Sequence, residues 1–148
     1  MKFFIDANVL IDFILERPLF YPPAAMIVSY AVENKIAICV SALSVVTSNY
    51  VCVDRCKMPH DVYKKKLDFL KTYVEIVSVD SSDIYNSLDS NWNDFEDGVQ
   101  YFSAIKSNAD CIVTRNAKDF GLSDIEVVTS VDACEILKNC DELSNNNN

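Results

Sequence analysis

Lys2-Phe3-Phe4-Ile5-Asp6-Ala7-Asn8-Val9-Leu10-Ile11-Asp12 opens the chain with a short apolar run that stops on a carboxylate and passes at once into a helical pattern. A buried strand followed by a helix is the start of a strand–helix–strand unit, and Asp6 stands at the carboxyl end of that strand. Two later stretches repeat the arrangement. Asp94-Phe95-Glu96-Asp97 opens a helical stretch, and Cys111-Ile112-Val113 leads through Thr114-Arg115-Asn116-Ala117-Lys118 to Asp119-Phe120. In an open α/β sheet, ligands bind in the crevice beyond the carboxyl ends of the strands, so acids placed there from distant segments converge. Carboxylates gathered in one cleft repel one another unless a proton or a cation intervenes. Oxygen-only ligands favour hard cations such as Mg²⁺ or Mn²⁺. The chain therefore reads first as a small metal-dependent phosphoryl-transfer enzyme.

Working outward, strands are predicted at 2–5, 36–40, 74–77, 110–113 and 126–128. Helices are predicted at 8–15, 24–33, 41 to about 57, 61–72, 81–91, 95–107 and 131–138, with a helical turn at 117–120. Arg17-Pro18 and Met58-Pro59 are breaks, the second proline of Tyr21-Pro22-Pro23 suits a helix start, and Ser41 and Ser81 are placed as caps. Val62, Leu67, Leu70 and Tyr73 form one expected inward face, and Val99, Phe102, Ala104 and Ile105 another. Apolar strands alternating with helices imply a parallel sheet covered on both sides. The expected fold is thus α/β, with three α/β/α layers and a central parallel sheet of about five strands. Residues 1–140 form the single domain, and 141–148 read as a polar, disordered tail.

The composition narrows the chemistry. With 22 acidic against 13 basic residues and a net charge of −9, the chain does not grip nucleic acid by bulk charge. Phosphates would have to be met through metal and a local basic patch. Arg55, Lys57, Lys64, Lys65, Lys66 and Lys71 read either as such a patch or as a solvated helical face. Only two glycines, Gly98 and Gly121, are present, which excludes the P-loop and the dinucleotide-binding fingerprint. No apolar run approaches the roughly 18 residues of a membrane span, and Asp6 and Asp12 interrupt any leader-like region; a cytoplasmic protein is expected. Most cysteines sit in apolar runs, as buried thiols do. Cys52, Cys56 and His60 share a helical spacing, but Pro59 breaks the helix that a zinc site would need.

Taken together, the blocks at 6–12, 94–97 and 109–120 resemble the PIN-domain family, which includes toxin ribonucleases of bacterial toxin–antitoxin pairs. The likeness spans about residues 1 to 132. It implies a metal-dependent endoribonuclease hydrolysing RNA phosphodiester bonds, with Asp6, Asp97 and Asp119 holding Mg²⁺ or Mn²⁺ and Asp94 as a fourth acid of the catalytic site. It also implies an antitoxin protein as partner and a homodimer. Asn8, Ser44, Thr114 and Asn116 are short polar groups near the strand ends, placed to orient carboxylates or waters. Each acid has a plainer reading too: Asp6 as a helix cap, Asp97 as an acid at a helix N-terminus, Asp119 as part of a surface turn.

One departure stands out. The family usually carries a glutamate on the helix after the second strand, and here its place falls near Thr47, with no acid anywhere from Ser41 to Val53. That opens an alternative, a PIN-fold module that binds RNA or protein without catalysis. A haloacid-dehalogenase-type phosphatase fits less well, because it needs a second aspartate where this chain has Asn8.

Overall fold

The computed structural model describes residues 1–146. Strand β1 (Lys2–Ile5) lies at the centre of a five-stranded, all-parallel sheet. It is joined by β2 (Ala37–Ser41), β3 (Val74–Val77), β4 (Cys111–Val113) and β5 (Glu126–Val128) in the order β3-β2-β1-β4-β5. β1 pairs with β2 through Phe4 opposite Cys39, and with β4 through Ile5 opposite Val113.

Side chains alternate across the sheet. Phe3, Ile5, Ile38, Val40, Cys111 and Val113 face one core, which is covered by α1 (Ala7–Leu15), α2 (Tyr21–Val32), α4 (His60–Tyr73) and α7 (Ser130–Asn146). Phe4, Cys39 and Ile112 face the other core, under Tyr101 and Ala104 of α6 (Phe95–Lys106) and Phe120. Helix α5 (Ser81–Asp89) packs on α6, and α3 (Ala42–Asn49) on α1. The expected three-layer α/β/α architecture is present. The strand order reverses between β1 and β4, so the crevice beyond their carboxyl ends is the switch point where such folds bind ligands.

Several expectations need adjusting. Helix α2 begins at Tyr21, with both prolines in its first turn, where a missing N–H leaves no bond unmade. The helix expected over 41–57 ends at Asn49 and continues as a π-helical turn, Tyr50–Arg55; Lys57 then takes a left-handed conformation (φ 60°), and Pro59 stands just before the next helix. On α4 the buried residues are Tyr63 and Leu70, while Val62 is exposed; the Tyr63 hydroxyl shares a 2.8 Å hydrogen bond with Ser48 Oγ and donates to the Val45 carbonyl. On α6, Val99 and Ala104 are buried but Ile105 is exposed, and the inward face includes the wholly buried Gln100 and Ser103. The α5 cap is Asp80, in a reciprocal capping box with Asp83, rather than Ser81.

Helix α7 continues through Asn146, so most of the stretch expected as a disordered tail is helical. Asp141 there accepts hydrogen bonds from the Tyr30 hydroxyl at 2.7 Å and Lys35 at 3.2 Å, tying the extension to α2. Residues 147–148 of the expected tail lie outside the described residues. Cys39, Cys52, Cys111 and Cys134 are buried, whereas Cys56 and His60 are exposed, so the Cys52-Cys56-His60 spacing does not form a site. No helix among the described residues is long and apolar enough to cross a membrane.

Gly98 lets α6 sit against its neighbour. A β-carbon there would collide with Ser87 Oγ of α5 and crowd the Trp92 ring. The same Ser87 hydroxyl donates to the Phe95 carbonyl at 2.9 Å, fastening the start of α6 to α5.

Candidate active site

Asp6 is the first residue past β1, and its N–H still pairs with the Val113 carbonyl of β4 at 3.0 Å. Its carboxylate is bracketed. Oδ1 accepts from the Ala7 N–H at 2.7 Å, capping α1. Oδ2 accepts from Thr114 Oγ1 at 2.7 Å and Asn8 Nδ2 at 2.8 Å. Asn8 in turn accepts from the Arg115 N–H at 3.1 Å, and Thr114 Oγ1 from the Asn116 N–H at 3.2 Å. The helix-cap reading of Asp6 and the strand-end reading therefore hold together. Burial raises the Asp6 carboxyl above the usual range; the bonds from Thr114, Ala7 and Asn8 oppose that, and Glu96 adds to it.

Helix α6 brings the second group. Asp94 is its N-cap, accepting from the N–H groups of Glu96 at 2.8 Å and Asp97 at 3.3 Å. Asp97 sits in the first turn and points into the same cleft. Burial first, then the charges of Asp94, Asp6, Glu96 and Asp119, push its carboxyl up to about 7. Asp119 arrives on the 3₁₀ turn Ala117–Phe120 after β4.

All four acids expected from the sequence line one open cleft of about 400 Å³, with Asn8, Asn116 and Thr47. Thr114 lies fully buried beneath it, at the Asp6 carboxylate. Ser44 does not reach it. Ser44 is wholly buried on α3, where its Oγ accepts from Gln100 Nε2 at 2.9 Å and Ser41 Oγ at 3.0 Å. The basic run from Arg55 to Lys71 contributes nothing to the cleft; Lys66 pairs instead with Glu16 at the end of α1, and Lys71 with Asp68 one turn away.

Three contributors were not singled out from the sequence. Glu96 lines the cleft, as Thr47 does. It accepts from Gln100 Nε2 at 3.4 Å, and Gln100 is itself anchored by Ser41 Oγ at 2.7 Å. Arg17 and Arg115 also line the wall, each bonded to the buried carboxylate of Asp12. Glu96 stood inside the quoted acidic run, and Asp12 was a charge within an otherwise apolar helical pattern; either was a usable signal. A second hollow of about 640 Å³, with Trp92, Asn93 and Lys118, adjoins the first and shares Asp94, Asp97 and Asp119 with it.

The donor set suits a hard divalent cation. Asp6, Asp94, Glu96, Asp97 and Asp119 face only two guanidiniums, and Asp12 already answers one of those two positive charges. Burial, and after it that excess of negative charge, holds the Asp97 carboxyl high. Among the described residues no three Asp, Glu, His or Cys side chains already form a metal-holding group. Mg²⁺, which keeps several of its waters, needs only one or two direct carboxylates.

Comparison with known proteins agrees with the fold. The curated Ribonuclease VapC1 of Aquifex aeolicus (strain VF5) is 29% identical over 141 residues, covering 90% of this chain and 94% of that protein. Among solved structures, VapBC2 from Rickettsia felis, bound to a DNA fragment from its promoter, is similar with a TM-score of 0.58 at 18% identity, covering 87% of this chain and 98% of the other. VapC20 of Mycobacterium tuberculosis, described as a sarcin–ricin loop cleaving toxin, is similar with a TM-score of 0.57 at 13% identity, covering 74% and 86%. The family profile described as PIN domain matches residues 2–118, and the chain belongs to the PIN domain family.

Proposed function

We propose that this protein is a metal-dependent endoribonuclease, the toxin of a toxin–antitoxin pair, that hydrolyses RNA phosphodiester bonds in the acidic cleft. The observation that carries the reading is the convergence of Asp6, Asp97 and Asp119, from three separate segments, at the switch point between β1 and β4. The likeness to a VapC ribonuclease supports it.

In this reading Asp6, Asp97 and Asp119 hold Mg²⁺ or Mn²⁺, with Asp94 beside them. The bound ion would supply an activated water and neutralise charge on the scissile phosphate. Thr114 and Asn8 hold the Asp6 carboxylate in one orientation. Asp94 fixes the first turn of α6, from which Asp97 projects. Glu96 brings a carboxylate to the cleft that holds Thr47, and so stands in for the glutamate that the family usually carries on α3. The protein acts as a cytoplasmic homodimer, restrained by an antitoxin.

The test is cleavage of several RNAs with Mg²⁺ or Mn²⁺, set against an Asp6→Asn control. Thr47 favours one competing reading, a PIN-fold module that binds RNA or protein without cutting. Absence of cleavage by the native chain with any divalent metal, across all RNAs, would select that module.

A further inference from the structure

We propose that Asp12 is a positioning residue that aims Arg17 and Arg115 into the acidic cleft, where the pair receives a backbone phosphate of single-stranded RNA. The proposal deepens the ribonuclease reading and rests on it.

Asp12 lies on α1 and is 1% exposed. A carboxylate buried so deeply must be paired. Its two oxygens are divided between two partners: Oδ1 meets Arg17 Nη1 at 3.2 Å, and Oδ2 meets Arg115 Nε at 3.4 Å. Backbone geometry makes this possible. Glu16 takes a left-handed conformation (φ 54°) that ends α1, and the Arg17 N–H returns to the Asp12 carbonyl at 3.2 Å. Arg115 comes from the far side of the sheet's switch point, its N–H pinned by Asn8. The Phe20 ring lies 4.6 Å from its guanidinium carbon, covering one face of the group.

One carboxylate needs one cation. Here it has two, so a positive charge is left over. Among the described residues neither arginine makes another ion pair, and both side chains are about one-third exposed, at 33% and 31%. Arg115 is held through Nε, which leaves its terminal nitrogens available; Arg17 is held through a single terminal nitrogen. A guanidinium fork matches phosphate oxygens, which it binds with two parallel hydrogen bonds. In a chain of net charge −9, a polyanion needs such a foothold to approach a cleft lined with acids. These are the two arginines that the cleft contains.

The experiment measures binding of a labelled, unstructured oligoribonucleotide to the full chain in Ca²⁺ over a range of KCl concentrations, together with KM for cleavage in Mg²⁺ or Mn²⁺. Arg17→Gln and Arg115→Gln should each raise KM about tenfold and flatten the slope of log affinity against log salt by about 0.7, the value for one single-strand phosphate contact. Arg115→Lys should keep the slope and still raise KM, because it keeps the charge and loses the fork. Asp12→Asn should behave likewise. If it does not fold, the arginine variants, checked by circular dichroism, carry the test. Lys65→Gln, outside the cleft, is the control and should leave the slope unchanged. Native binding and cleavage with unaltered slopes in both arginine-to-glutamine variants would overturn the proposal alone, leaving the arginines as counter-ions. A native chain that neither binds nor cuts RNA would overturn it together with the ribonuclease reading.

Discussion

Thr114 Oγ1 donates to Asp6 Oδ2 at 2.7 Å, joining two residues 108 positions apart at the carboxyl ends of adjacent strands. The threonine is fully buried, and its hydroxyl also accepts from the Asn116 N–H and from Asn8. Thr114→Val keeps the shape and removes every one of these bonds. Leaving such buried groups unpaired costs about 1–3 kcal/mol, which chemical denaturation will register. Calorimetric titration should also show weaker Mn²⁺ binding, because the Asp6 carboxylate loses its fixed orientation. Unchanged Mn²⁺ affinity would mean that the threonine serves the fold only.

Asp6→Asn is expected to abolish metal-dependent cleavage with the fold intact. Burial already disfavours the Asp6 charge, so the variant should melt at a higher temperature than the native chain in EDTA. A lower melting temperature without metal would show that the lost hydrogen-bond acceptor outweighs the relief of repulsion.

The Asp97 carboxyl gives the metal-free protein a pH dependence of definite sign. Its folded value of about 7 lies above the ordinary 3.8, so between those values the folded state holds more proton than the unfolded one. Stability is then greatest below about pH 4, as far as this group is concerned, and falls as pH rises through about 7. Urea midpoints in EDTA should decline across that window, and Asp97→Asn should flatten the decline. Affinity for Mg²⁺ or Mn²⁺ should run the other way, rising through the same window.

Glu96 and Thr47 form a paired test. Glu96→Gln should lower metal affinity or cleavage by roughly 10–100-fold. Thr47→Glu, which restores an acid on α3, should recover much of that loss when the two are combined. No recovery would mean that the two positions do not serve the same function.

Gly98→Ala probes the seam between α5 and α6. The added methyl meets Ser87 and Trp92, and such overpacking costs about 1–3 kcal/mol. A neutral effect would show that the start of α6 can shift without cost.

Much of this molecule was legible because its signals are local. The apolar runs at Phe3–Phe4, Ile38–Val40 and Ile112–Val113 mark strands by composition, and Asp6, Asp97 and Asp119 stand at strand or helix ends where topology gathers them. What stayed hidden depends on contacts between distant segments. The burial of Gln100, and hence the support under Glu96, needs Ser41 and Ser44 from the neighbouring strand and helix. A one-residue change in helical phase put Tyr63 inside instead of Val62. Arg17 looked like a helix terminator because nothing near it in sequence shows that Arg115 lies across the same buried carboxylate.

The central place of β1 bears on when the cleft first exists during synthesis. β1 is made before every other strand of the sheet, yet one of its two sheet neighbours is β4, made more than a hundred residues later. Until that strand and the turn to Phe120 have emerged, Asp6 has neither Thr114 to hold it nor Asp119 beside it. A chain interrupted before that turn thus lacks the assembled cleft, and whatever chemistry the cleft performs starts only once translation has passed Phe120.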